Sequence, residues 1–207
     1  MYITPVPEYN NNMKTIILAS KSPRRLEILN KHGIEPIVIP SNAEEHLPDG
    51  IGMEEAVKML ARQKAEAVYQ ELKANPELAA GHDLRDAVII GSDTIVYKDE
   101  ILGKPKDAED AFRMLSSYRG TYHYVVTGVA LISVNTGDIS ILSDITTVYC
   151  KNYTDDQIRE YIANEKPYDK AGAYAIQGPF MDYIDHYDGD YENVMGFPFH
   201  RIADLIK

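Results

Sequence analysis

The run Leu18-Ala19-Ser20-Lys21-Ser22-Pro23-Arg24-Arg25 constrains this chain more than any other stretch. Ile16, Ile17 and Leu18 form an apolar strand pattern that stops at Ser20. Ser22 is placed to cap a helix whose first position is Pro23, where a missing N–H costs nothing. Two arginines at the positive end of that helix oppose its dipole. A bound anion would reverse the penalty, because free N–H groups and guanidinium forks suit phosphate oxygens. The plainer alternative is a pair of solvated or salt-bridged arginines.

Composition narrows the partners. A net charge of -11 argues against binding a nucleic-acid polymer or an anionic membrane. A phosphate ligand would therefore need a local cluster of Lys and Arg helped by a divalent cation. The single cysteine, Cys150, excludes an internal disulfide and fits a reducing cytoplasm. It falls in a strand pattern and reads as a buried, inert thiol. Residues 1–13 are polar with two prolines and read as a loose arm, leaving 14–207 as one domain. No apolar run approaches the roughly 20 residues that span a bilayer.

Strand and helix patterns alternate along the chain, which means α/β with antiparallel hairpins in a mixed sheet. Helices are expected over 22–32, 53–74, 108–115 and up to 163 from a Thr154-x-x-Gln157 capping box, with a last one from Pro198. Strands are expected over 34–39, 87–97, 122–134, 139–149, 174–178 and 181–186. Asn135-Thr136-Gly137-Asp138 reads as a hairpin connection, and so does Asp188-Gly189. Residues 75–85 read as a surface excursion.

Several residues could carry chemistry. Asp93 stands in Ile89-Ile90-Gly91-Ser92-Asp93-Thr94-Ile95-Val96, where a buried and unpaired carboxylate would be expensive. It is expected to face a cation, a metal, donors or a cleft. If the chain folds back near Asp99, Lys104 falls roughly opposite Thr94 and beside Asp93. Lys64 shares an apolar helix stripe with Ala61 and Val68, so it points where the helix packs, unless its stem merely snorkels. Glu44 and Glu45 follow the second strand, and either could ligate a hard cation through oxygen; solvated surface is the plainer reading. Gln177 lies in a tight run of small residues, and its carboxamide could pair with a base edge. The sequence has no G-x-x-x-x-G-K-[ST] phosphate loop, no G-x-G-x-x-G fingerprint and no zinc spacing of histidines.

Four segments together carry a resemblance: Leu18 to Arg25, Gly91-Ser92-Asp93-Thr94, Leu102-Gly103-Lys104-Pro105 and Asp169-Lys170-Ala171-Gly172-Ala173-Tyr174-Ala175-Ile176-Gln177-Gly178. In this order the chain resembles the Maf-like nucleotide pyrophosphatases, also called septum formation inhibitors, and their dTTP and UTP branch. The resemblance implies an elongated mixed sheet with flanking helices and a cleft between two lobes, like inosine triphosphate pyrophosphatases. It also implies Mg²⁺- or Mn²⁺-dependent hydrolysis of a nucleoside triphosphate to monophosphate and pyrophosphate, and a homodimer. By position, Asp93 takes the place of the proton acceptor, and Arg24, Thr94 and Gln177 those of specificity residues. Ser20, Glu45, Lys64 and Lys104 match polar positions of the cleft, with Glu45 a metal ligand. Gln63 departs from the family's commoner acid, the 72–86 loop is longer and the arm is extra.

The expected mechanism lays the triphosphate across Arg24 and Arg25, with Lys64 and Lys104 near it. Asp93 then activates the water that attacks the α-phosphorus, or orients it, or holds the ion. The rival functions are a non-catalytic nucleotide sensor restraining cell division through a protein partner, and a monophosphate phosphatase. An aspartyl-nucleophile phosphatase would want Asp-x-Asp, and Gly91-Ser92-Asp93 has a single acid.

Overall fold

The computed structural model describes residues 14–207, so the arm expected over 1–13 lies outside the described residues. The chain runs β1 (Ile16–Leu18), α1 (Pro23–Lys31), β2 (Ile37–Val38), α2 (Met53–Ala74), β3 (Val88–Lys98), β4 (Glu100–Leu102) and α3 (Ala108–Tyr118). It continues with β5 (Tyr122–Ser133), β6 (Ile139–Cys150), α4 (Asp155–Glu165), β7 (Ile184–Asp188), α5 (Tyr191–Val194) and α6 (Phe199–Ile202).

Among the described residues the strands form one seven-stranded mixed sheet in the order β2-β1-β3-β5-β6-β7, with β4 added beside β3. β1 is parallel to β2 and β3, and every other pair is antiparallel. Helices cover both faces. One face packs Leu18, Ile90, Val96 and Val129 against α1, α3, α4 and the C-terminal segment. The other buries Ala61, Ala65 and Val68 of α2 against Ile89 and Ala130, and Val57 against Ile95 and Val126.

Two glycines set how closely α2 lies on the sheet. A Cβ added at Gly91 would stand 2.3 Å from the Ala61 carbonyl oxygen, and one at Gly128 2.3 Å from that of Val57. Only bare backbone admits that approach. It brings Lys64, one turn beyond Ala61, over Asp93, two residues beyond Gly91.

β3 is bordered unevenly. β1 pairs with it only through Ile90, and β4 joins only from Val96. Between them, from Gly91 to Ile95, one edge of the strand has no neighbouring strand. That unpaired stretch lies at the carboxyl end of β1, where ligands commonly enter such sheets.

Several expectations are corrected. The second strand shrinks to Ile37–Val38. Ile34 is tied back to α1, its N–H donating to the Leu29 carbonyl at 3.0 Å, and Pro36 has no N–H for a ladder. Residues 174–178 form no strand; helical turns at Ala171–Ala173 and Pro179–Tyr183 flank them, and β7 starts only at Ile184. Asp188-Gly189 is no hairpin, because β7 pairs back to β6 and the chain then enters α5. Ser22 sits at the N-cap of α1, but its side chain caps nothing. Its N–H instead donates to Ser20 Oγ at 3.1 Å. The 75–85 excursion contains a helical turn, Pro76–Ala79, that buries Ala79. The helix over 53–74, the Thr154–Gln157 capping box and the buried Cys150 stand as expected. Burial in apolar surroundings pushes the Cys150 thiol up to about 12.

Candidate active site

Successive side chains of a strand point to opposite faces, so Asp93 and Thr94 cannot share one. Asp93 lies on the α2 face. Its Oδ1 accepts a short hydrogen bond from Lys64 Nζ, and the same ammonium is 3.0 Å from Glu45 Oε1. Asp93 and Lys64 are largely shielded, with side chains 14% and 16% accessible, whereas Glu45 is half exposed. Asp93 Oδ2 has no protein partner among the described residues and is left for a proton, a water or an ion. Two carboxylates from separate elements converging on one positive charge make a hard-oxygen set, which fits Mg²⁺ or Mn²⁺ by donor chemistry.

The other face is built around Arg25. Its Nε donates to the Gly196 carbonyl at 2.9 Å, Nη1 to Ser20 Oγ at 3.1 Å and Nη2 to Thr94 Oγ1 at 3.3 Å. Desolvation lowers the Arg25 pKa, with Asp93 pulling it back up. Thr127 Oγ1 donates to the Asn193 carbonyl at 2.9 Å, so across the 2.9 Å Thr94–Thr127 contact the hydrogen must come from Thr94. Ser92 Oγ donates to the same Gly196 carbonyl at 3.1 Å. This chain ties the β1–α1 loop, β3, β5 and the segment after α5 into one frame.

Arg24 has no such attachments among the described residues. It lines a hollow of about 260 Å³ with Arg25, Thr94, Lys104, Lys170 and Asp169, floored by apolar groups that include Val96, Tyr174, Ile176 and Met195. Four cations face one carboxylate there, on a chain whose overall charge is -11. Asp169 is itself engaged by Lys170 at 2.7 Å, which holds its carboxyl below the usual range.

The sequence-derived residues therefore fall into two groups and one outlier. Asp93, Lys64 and Glu45 meet under α2. Arg24, Thr94, Ser20 and Lys104 gather on the opposite face. Lys104 is not paired with Asp93 as expected: the ladder ends at Val96–Leu102, and Lys104 leaves toward the hollow while Asp93 takes Lys64. Arg25 is a clamp rather than an open phosphate contact. Gln177 is exposed, one residue beyond Ile176, and does not line the hollow.

Sequence reasoning missed Lys170 as a site residue and the whole Asn193–Gly196 segment. Its one local signal was Asp190-x-x-Asn193, an N-cap pattern for a four-residue helix: Asp190 accepts from the N–H groups of Glu192 and Asn193.

Residues 15–207 match the model of the family described as Maf-like protein. The chain belongs to this family. It is 39% identical over 196 residues to the dTTP/UTP pyrophosphatase of Caldicellulosiruptor bescii, covering 94% of both chains. It is 40% identical over 195 residues to the protein of that name from Acetivibrio thermocellus, covering 94% of this chain and 95% of the relative. The Desulfitobacterium hafniense protein of the same name is 42% identical over 195 residues, with 94% and 85% covered. The mixed sheet flanked by helices is the fold expected of the Maf-like family, and no helix among the described residues is long and apolar enough to cross a membrane.

Proposed function

We propose that this protein hydrolyses dTTP and UTP to the nucleoside monophosphate and pyrophosphate in the cytoplasm. The observation that carries the reading is the cationic hollow of Arg24, Lys104 and Lys170 on an otherwise acidic molecule; Thr94 lines it, and Asp93, the adjacent residue of the strand, lies outside its lining. The relatives' shared name supplies the substrate class.

In this reading the triphosphate docks against Arg24, Lys104 and Lys170, and the apolar floor of Tyr174, Ile176 and Met195 takes the nucleoside. Arg25 does not move; it holds Ser20, Thr94 and Gly196 in place around the opening. Asp93, with Oδ1 on Lys64, offers Oδ2 to a water. The water oxygen bonds to the α-phosphorus, its proton passes to the carboxylate, and the bond from that phosphorus to the α–β bridging oxygen breaks, releasing pyrophosphate. Lys64 keeps a positive charge beside the new negative one. Glu45 and Asp93 would hold a divalent ion together with phosphate oxygens, and such an ion offsets charge on the triphosphate. Gln177 would swing toward the base edge from the rim, and Gln177→Glu should weaken the preference for uracil and thymine. An unchanged substrate profile would remove it from that role.

Incubation of the purified chain with UTP or dTTP and Mg²⁺ tests the reading. Equal yields of monophosphate and pyrophosphate are expected. Orthophosphate as the first product would indicate a phosphatase, and binding without any product a sensor.

A further inference from the structure

Away from the cleft, Asp144 in β6, Asp190 ahead of α5 and His200 in α6 each bring one ligand atom to within 4.8 Å of the others. The convergence is built by the fold. Gly189 has φ +130°, and a Cβ there would stand 2.7 Å from Thr146 Oγ1, so glycine alone lets the chain turn flat against β6. Thr146 Oγ1 then accepts from the Asp190 N–H at 3.1 Å and donates to the Asp190 carbonyl at 3.0 Å. The Asp190 carboxylate is oriented from behind by the N–H groups of Glu192 and Asn193, at 3.0 and 3.1 Å. His200 Nδ1 lies 3.0 Å from Asp190 Oδ2.

Asp144 is the least engaged of the three. Its side chain is only 18% accessible, and its nearest fixed cation, Arg201 Nε, is 3.9 Å away, beyond hydrogen-bond length. Two carboxylates and an imidazole thus converge on one point. A hollow of about 360 Å³, lined by Asp144, Ile145, Gly189, Asp190 and His200, leaves room for waters to complete a coordination shell. One imidazole nitrogen with two carboxylate oxygens suits Zn²⁺ or Co²⁺, whereas Mg²⁺ prefers oxygen alone. The backbone bonds to Asp190 are the kind of outer support that orients a metal ligand.

We propose that Asp144, Asp190 and His200 form a divalent-cation site selective for Zn²⁺- or Co²⁺-type ions, separate from the reaction cleft. The site touches no substrate. It sits at the start of the segment whose Asn193 and Gly196 carbonyls complete the frame on Thr127, Ser92 and Arg25, so a bound ion stiffens that frame from outside.

The test uses the full chain stripped by a chelator, then titrated with Zn²⁺ by calorimetry and with Co²⁺ by absorbance. One Zn²⁺ should bind at micromolar concentration or below in Asp93→Asn as in the wild type, raise the thermal midpoint, and resist excess Mg²⁺. That event should weaken by about tenfold or more in Asp144→Asn and in His200→Ala. Because His200 is half exposed, His200→Ala keeps the fold and decides alone if Asp144→Asn does not. Binding no tighter than millimolar, binding unchanged in His200→Ala, displacement by Mg²⁺, or loss in Asp93→Asn would each overturn the proposal.

Discussion

The two faces of β3 treat polar groups in opposite ways. On the α2 face, Asp93, Lys64 and Glu45 are joined only by ion pairs, with Glu45 reaching solvent and one Asp93 oxygen unengaged. On the other, Thr94 and Thr127 pass hydrogen bonds from the Arg25 guanidinium to the Asn193 carbonyl, and Arg25 and Ser92 both donate to that of Gly196. Ion pairs can trade partners with little rearrangement, whereas a directed chain of hydrogen bonds resists it. One strand thus carries the groups that must change state during a reaction next to those that must not. Arg24 and Arg25 repeat the contrast on α1, the first open to the hollow and the second locked.

The largest expected effect breaks the reactive face. Asp93→Asn should lower kcat by about 10²-fold to 10⁴-fold, the usual range for a positioned general base. Turnover near normal would move the proton acceptor elsewhere. Breaking the locked face comes next. Arg25→Ala removes three donated hydrogen bonds, to Gly196, Ser20 and Thr94, and should cost about 3 kcal/mol in denaturant unfolding. Arg24→Ala, which removes no hydrogen bond or ion pair among the described residues, should stay within about 0.5 kcal/mol of the wild type. Equal stability of the two variants would erase the distinction between clamp and contact.

A more gradual effect, spread over pH, concerns what lies beneath the locked face. His123 is fully buried, with Nε2 2.6 Å from the hydroxyl of Tyr174, a residue that lines the hollow. Burial holds its pKa down at about 3. The unfolded imidazole takes a proton near about 6.5, so between these values the unfolded state binds more protons. Its contribution is therefore complete above that pH and is lost as pH falls toward 3, at about 1.4 kcal/mol per unit. Unfolding measured against pH should show a shallower acid limb in His123→Gln, and parallel limbs would contradict the assignment. The smallest effect is expected at Cys150, whose raised pKa should leave it unreactive toward thiol reagents in the native protein at pH 8.

Much of this was legible in the sequence because the signals are local. The apolar triplet before Ser20, the Thr154-x-x-Gln157 box and the stripe of α2 each need only a few neighbouring residues. The Lys64–Asp93 contact could be anticipated on each side separately, from a lysine on an apolar stripe and an acid in a strand. The division between faces was available too, since adjacent strand residues alternate, yet the four-residue motif Gly91 to Thr94 hides it by running Asp93 and Thr94 together. What could not be read depends on distant partners. Arg24 and Arg25 differ by about 100° around α1, but which is clamped depends on acceptors distant in sequence, Thr94 and the Gly196 carbonyl from the far end of the chain. Residues 174–178 carry strand-forming types without a strand to pair with.

The most direct measurement is calorimetric binding of a non-hydrolysable UTP analogue to Arg24→Ala and Asp93→Asn. Binding weaker by about tenfold or more is expected for Arg24→Ala, from one lost charge-assisted contact, and affinity close to the wild type for Asp93→Asn. Intact affinity in Arg24→Ala together with loss in Asp93→Asn would contradict the division of one strand into a reacting face and a binding face.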